Sequence, residues 1–187
     1  MRIKTLDNAS FKDTVAALEG LCREKTSPDL VVGIANGGVE VARMMFADLP
    51  HAAVLCRRAG TSGKEKSPLI RFLLRHLPLS LLDLARIAEA KLPKTTGATR
   101  RCVHISDDDK GLIARARCIL IVDDAVDSGA TLQAVYEAIR GINPVASLAS
   151  AAITVTTSRP VARPDFHIFD NGTLIRFPWS LDSKTKQ

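Results

Sequence analysis

The stretch ILIVDDAVDSGATL, residues 119 to 132, carries the residue types and spacing best suited to chemistry. Four apolar residues lead into two adjacent carboxylates, Asp123 and Asp124. A third follows at Asp127, and then come Ser128, Gly129, Ala130 and Thr131. A near-continuous apolar run is what a central parallel strand buried on both faces requires, and the sequence that follows predicts a helix over 129–140. Strand, short loop and helix is the setting in which open parallel sheets bind ligands, at the carboxyl ends of their strands. A helix N-terminus preceded by small residues offers free backbone N–H groups and a positive dipole end, which together bind phosphate. Ser128 and Thr131 add hydroxyl donors, and Gly129 lets the backbone turn tightly against a ligand. Carboxylates aimed at a phosphate would repel it. The acids make better sense facing sugar hydroxyls or a magnesium ion.

The elements that must hold this turn are legible on either side of it. Phe11, Val15, Leu18 and Cys22 recur at helical spacing, so a helix is expected over 9–25 with Ser10 as its N-cap. A strand is expected over 29–34 after the Ser27-Pro28 turn, then a glycine-led helix from about Val39, and a buried strand over 51–57. This αβαβ opening is typical of parallel sheets. The segment RAGTSGKEKSP is polar and basic and reads as a mobile loop. Residues 68–92 are leucine-rich with interleaved charges and fit two short amphipathic helices divided at Pro78, packing on the core or on a second subunit. Further strands are expected in RCVHIS, ARCILIVDD, ASLASAAITVT and DFHIF.

Composition narrows the class. The chain has 187 residues, 46% apolar but only 4% aromatic, which suits one aliphatic α/β domain with a proper core. Four widely separated cysteines lack the paired spacing of a zinc knuckle or redox motif. The N-terminus lacks the apolar core of a signal peptide, and no run reaches the roughly 18 apolar residues of a membrane helix, so a soluble, cytoplasmic protein is expected. A net charge of +6 and a pI near 9.4 favour anionic partners without choosing among them.

On these residues the chain resembles the type I phosphoribosyltransferases. The apolar run, the acid pair, Val126 and the DSGAT loop match that family's signature for 5-phosphoribosyl-1-pyrophosphate (PRPP), with Ala125 where a larger aliphatic residue is usual. The resemblance implies an α/β fold with a parallel sheet, helices on both faces and a small hood, built as one domain over 1–187. Residues 68–92 would be a helical insertion and 160–180 part of the hood and base pocket. It implies that Asp123 and Asp124 bind the ribose hydroxyls and touch magnesium mainly through substrate oxygens. Ser128, Gly129, Ala130 and Thr131 would cradle the 5′-phosphate, and Asp127 would serve as general base or proton partner beside the acceptor. Ala35, Asn36, Gly37 and Gly38 would form the pyrophosphate loop, which in the family often contains a cis peptide. Here Asn36 stands where many relatives place a basic residue, so backbone N–H groups would carry more of that binding. Arg58, Lys64 and Lys66 would belong to a flexible loop that closes over pyrophosphate and excludes water.

At the acceptor end the match fades. LIRFPWS resembles the closing segment of purine-type members, yet Leu174 and Ile175 occupy the place of the purine-stacking aromatic. AITVTTSRP lacks the lysine those enzymes set against a 6-oxo group, leaving Thr156, Thr157 and Arg159 nearby. Trp179 is either a base platform or a core residue. The expected partners are therefore PRPP, magnesium and an atypical base-like acceptor, with a homodimer as the assembly.

Other readings fit less well. A receiver domain also opens with an ILIVDD-like strand, but too little chain follows Asp123 here. Gly33, Ala35 and Gly38 nearly match a dinucleotide fingerprint, although the next strand ends in Arg57 and Arg58 without the acid that holds an NAD ribose. GTSGKEKS fails the Walker A pattern at Arg58 and Glu65. A PRPP-sensing regulator on the same fold remains as the alternative function. The arginines at 57, 58, 71, 75, 86, 100 and 101 would suit nucleic acid, but no RNA-binding aromatic pattern or recognition-helix motif accompanies them.

Overall fold

The computed structural model describes residues 2–58 and 101–179. Six strands form the main sheet in the order β4-β3-β2-β5-β6-β7: β2 (Leu30–Ile34), β3 (His51–Arg58), β4 (Arg101–Ile105), β5 (Cys118–Val126), β6 (Ser147–Val155) and β7 (Phe166–Phe169). All neighbours are parallel except β3 and β4. The sheet is thus mostly parallel, with one antiparallel edge strand that the sequence reading had not separated from the rest. A second sheet of two parallel strands, β1 (Arg2–Thr5) and β8 (Thr173–Arg176), joins residues from near both ends of the chain. Because β7 lies in the main sheet, only the part of 160–180 from Thr173 onward pairs with β1.

Strands β2 and β5 are apolar on both faces because both faces are covered. Val31, Leu120 and Val122 turn toward α1 (Asn8–Arg23) and α2 (Gly37–Ala42), where Phe11, Val15, Leu18 and Val41 are buried. Leu30, Val32, Ile119 and Ile121 turn the other way, onto α3 (Asp107–Arg115) and α4 (Ala130–Ile142) through Ile113, Leu132, Val135 and Ile139. Fully burying a side chain of this size stabilises the fold by about 1.5–3 kcal/mol, so these two layers fix where β5 ends.

Local chemistry corrects several boundaries. The N-cap of α1 is Asp7, not Ser10: Asp7 Oδ1 accepts from both the Ser10 N–H at 2.8 Å and the Ser10 hydroxyl at 2.6 Å. The second helix starts at Gly37 and ends at Ala42, earlier than the glycine-led helix expected from Val39; beyond Arg43 the chain turns, and Phe46 has φ 49°. Helix α3 and strand β1 were not expected. Ser106 caps α3 by accepting from the Asp109 N–H at 3.1 Å, and Asp109 returns an acceptor to the Ser106 hydroxyl at 2.7 Å. The proposed helices over 68–92 lie outside the described residues.

Candidate functional site

The chain leaves β2 through α2 toward β3, and leaves β5 through α4 toward β6 on the opposite side of the sheet. Strands β2 and β5 are neighbours, so their carboxyl ends flank a point where the strand order reverses. Connections that diverge this way leave a crevice open for a ligand. The two turns singled out in the sequence, 35–38 after β2 and 127–131 after β5, both open onto it.

The acid pair forms its floor. The Asp123 carboxylate accepts from the Asp124 N–H at 2.9 Å, and the Asp124 carboxylate accepts from the Ala125 N–H at 3.0 Å. Burial holds Asp123 well above the ordinary carboxylate range, and the neighbouring Asp124 charge adds to the effect. Burial raises Asp124 as well. Such a pair favours a proton, a cation or hydroxyl donors over bare ionisation.

The turn after β2 packs directly against this pair. A side chain at Gly37 would run into the Asp124 carboxylate, and one at Gly38 would approach the Asp123 Cα within 2.9 Å. Glycines here let the start of α2 lie on the end of β5. The Ala35–Asn36 peptide is cis, and the Ala35 N–H donates to the Val54 carbonyl at 2.9 Å. Asn36 is exposed.

On the other side, Gly129 is left-handed at φ 79°, and a Cβ there would collide with the backbone of Ala162. The Val161 N–H donates to the Ser128 carbonyl at 2.9 Å, so the segment after β6 holds the loop from behind. Asp127 accepts from the Thr156 hydroxyl at 2.9 Å. A cleft of about 200 Å³ is lined by Arg101, Asp123, Ala125, Val126, Asp127, Ser128, Gly129, Thr131 and Leu132. It combines a helix N-terminus, small backbone-exposing residues, hydroxyls and carboxylates within one concave surface.

The structure therefore brings together Asp123, Asp124, Asp127, the 128–131 loop and the 35–38 turn. Leu174, Ile175 and Trp179 are not among the residues lining this cleft. Leu174 and Ile175 lie on β8, with Ile175 in the core layer beneath α1, while the Trp179 ring stacks on Phe177 and meets Phe11 edge-on, both at 5.0 Å. Arg58 is the last residue of β3, its backbone paired with Arg101; Lys64 and Lys66 lie outside the described residues. Arg101 and Thr156 reach the site from strands remote in sequence. Thr156 follows an apolar strand as Asp123 does, a position at the carboxyl edge that strand reading alone could have flagged.

A doubly wound, mostly parallel sheet with this site at its switch point is the architecture of the type I phosphoribosyltransferases. The phosphoribosyl transferase domain model matches residues 4–184, and the chain belongs to that family. No curated protein matches it in sequence. Among solved structures it resembles a purine phosphoribosyltransferase from Pyrococcus horikoshii at 19% identity and TM-score 0.62, covering 96% of this chain and 95% of that one. A Helicobacter pylori xanthine-guanine-hypoxanthine phosphoribosyltransferase matches at 18% and 0.62 over 97% and 95%. A hypothetical protein from Neisseria gonorrhoeae with bound ppGpp matches at 15% and 0.63 over 95% and 89%. Among the described residues no helix is long and apolar enough to cross a membrane.

Proposed function

We propose that this protein transfers the 5-phosphoribosyl group of PRPP to a nitrogenous, base-like acceptor and releases pyrophosphate. The observation that carries the reading is the meeting of the acid pair, the small-residue phosphate loop and the glycine turn at one switch point. In this reading Asp123 and Asp124 accept from the ribose hydroxyls. The N–H groups of 128–131, with the Ser128 and Thr131 hydroxyls, hold the 5′-phosphate. The turn 35–38 presents backbone N–H groups to pyrophosphate.

In the reaction the C1–oxygen bond to pyrophosphate breaks and its electron pair leaves with the pyrophosphate. The acceptor nitrogen forms the new bond to C1, and Asp127, oriented by Thr156, takes the proton that nitrogen sheds. Preorganised N–H groups aimed at the departing anion supply electrostatic stabilisation without reorganisation, and the fixed ribose supplies positioning.

The acid pair fits magnesium held mainly through substrate oxygens, since the Asp123 and Asp124 carboxylates stand side by side at the crevice. Magnesium retains waters and substrate oxygens and needs few protein ligands. When bound it would offset the charge of the pyrophosphate. A homodimer completes the proposal, on the strength of the leucine-rich 68–92 segment.

A second reading, an effector-sensing protein without turnover, is favoured by one observation: the similar Neisseria structure, of a hypothetical protein, carries ppGpp. Titration calorimetry with PRPP and magnesium, followed by a pyrophosphate-release screen over purines, pyrimidines and related heterocycles, separates the two. Release with one acceptor establishes the transferase. Tight binding with no release across the screen favours a PRPP sensor, and no binding of PRPP sinks both the transferase and a sensor of PRPP.

A further inference from the structure

One wall of the cleft is cationic, and the acidic turn does not account for it. The cleft is lined by two carboxylates, Asp123 and Asp127, yet the group assigned to it is a phosphate dianion. Of the described residues that line it, Arg101 alone is basic. It arrives there through the one reversal in the sheet: β4 runs antiparallel to β3, with Arg101 opposite Arg58, so the first residue of β4 lies at the edge where the parallel strands end. Had β4 run parallel, Arg101 would sit at the far edge.

The guanidinium is poised rather than paired. Its Nε is buried and has no hydrogen-bond partner, and among the described residues it forms no ion pair, although Asp123 lines the same cleft. A charged N–H withdrawn from water without an acceptor is unfavourable, and a shift of the side chain toward an anion in the cleft would relieve it. Its place beside the 128–131 loop has a second witness. The Cys56 thiol on β3 lies close to the Thr131 hydroxyl and within the field of Arg101, so hydroxyl and guanidinium flank the same side chain.

Resting on the phosphoribosyl reading above, we infer that Arg101 is the cationic ligand of the substrate's 5-phosphate, closing across the cleft the cradle that the 128–131 loop begins. Arginine suits the task because its planar fork can meet two phosphate oxygens at once, which the point charge of lysine cannot. The binding energy of the site is thereby tied to a terminal phosphate on the sugar, so an unphosphorylated ribose is rejected.

The test is titration calorimetry of wild-type protein, Arg101→Gln and Arg101→Lys with three probes: magnesium-PRPP, ribose 5-phosphate and magnesium pyrophosphate. Loss of a charge-assisted hydrogen bond should weaken PRPP and ribose 5-phosphate by about tenfold or more in Arg101→Gln. Pyrophosphate should stay within roughly twofold, because its turn lies on the other side of the acid pair. Arg101→Lys should fall between, and its melting temperature guards against a folding defect. Equal ribose 5-phosphate affinity in wild type and Arg101→Gln overturns the inference and leaves the phosphoribosyl reading standing. An equal loss for pyrophosphate overturns the assignment to the 5-phosphate. A wild-type protein that binds none of the three probes sinks the phosphoribosyl reading and this inference with it.

Discussion

Two buried carboxylates side by side are a cost that the fold carries for its ligand. Both Asp123 and Asp124 titrate above the ordinary carboxylate range in the folded chain. Across that window the folded state holds more protons than the unfolded one, so stability falls as pH rises through it. The pair therefore opposes folding increasingly as the pH rises. Asp123→Asn with Asp124→Asn should raise the melting temperature at pH 7, lose that advantage on acidification below the ordinary carboxylate range, and abolish PRPP binding. A stable double mutant that still binds PRPP would contradict the site. Thr156, which donates to Asp127, sets a second expectation. Thr156→Val should lower kcat about tenfold, the worth of a hydrogen bond to a carboxylate, leave PRPP affinity unchanged, and be rescued by serine. At this scale the acids and the 128–131 loop were legible because they are contiguous. Arg101 was not, because alternation within RCVHI gives the face a residue takes but not the direction its strand runs.

Elements are held by a few polar contacts that no periodicity reveals. Asn143, buried just past α4, donates through Nδ2 to the carbonyls of Ile113 and Ala116, both at 2.8 Å, and accepts from the Ala146 N–H at 3.1 Å. It ties the end of α3 to the end of α4, and α4 in turn follows directly on the 128–131 loop. Asn143→Ala should cost on the order of 2–4 kcal/mol in denaturant unfolding, because several buried groups lose partners together. Gly129→Ala should cost at least about 1–2 kcal/mol for its left-handed backbone alone, with the collision against Ala162 added, and should weaken ribose 5-phosphate binding. Strands β2, β5 and β6 could be read from their apolar runs, since burial on both faces leaves a plain signature. Helix α3 could not be read that way: DDDKGLIAR is polar and only Ile113 is buried. Its recoverable signal was the Ser106–Asp109 cap. Asp7 and Ser10 are both good caps three residues apart, and only the geometry decides between them.

The molecule as a whole sorts its thiols by depth. Cys102 is exposed at the sheet edge, whereas Cys22 lies on the buried face of α1 and burial pushes its thiol up to about 12. Under native conditions a thiol reagent should modify Cys102 first and reach Cys22 only at the rate of global unfolding. Mass spectrometry of a labelling time course reads this directly, and early modification of Cys22 would mean that α1 opens on its own. The sheet order was legible only in part, since neither β1 nor the pairing of β1 with β8 has a local signal; RIKT has no buried residue.

That pairing also bears on how the protein is made. Arg2 meets Thr173 and Thr5 meets Arg176, with the buried Arg176 donating to the Thr5 hydroxyl at 3.1 Å. As the chain leaves the ribosome, β1 has no partner until β8, 171 residues further on, has been translated. The sheet bearing the 128–131 loop can assemble while β1 waits, so the two-stranded sheet closes after it.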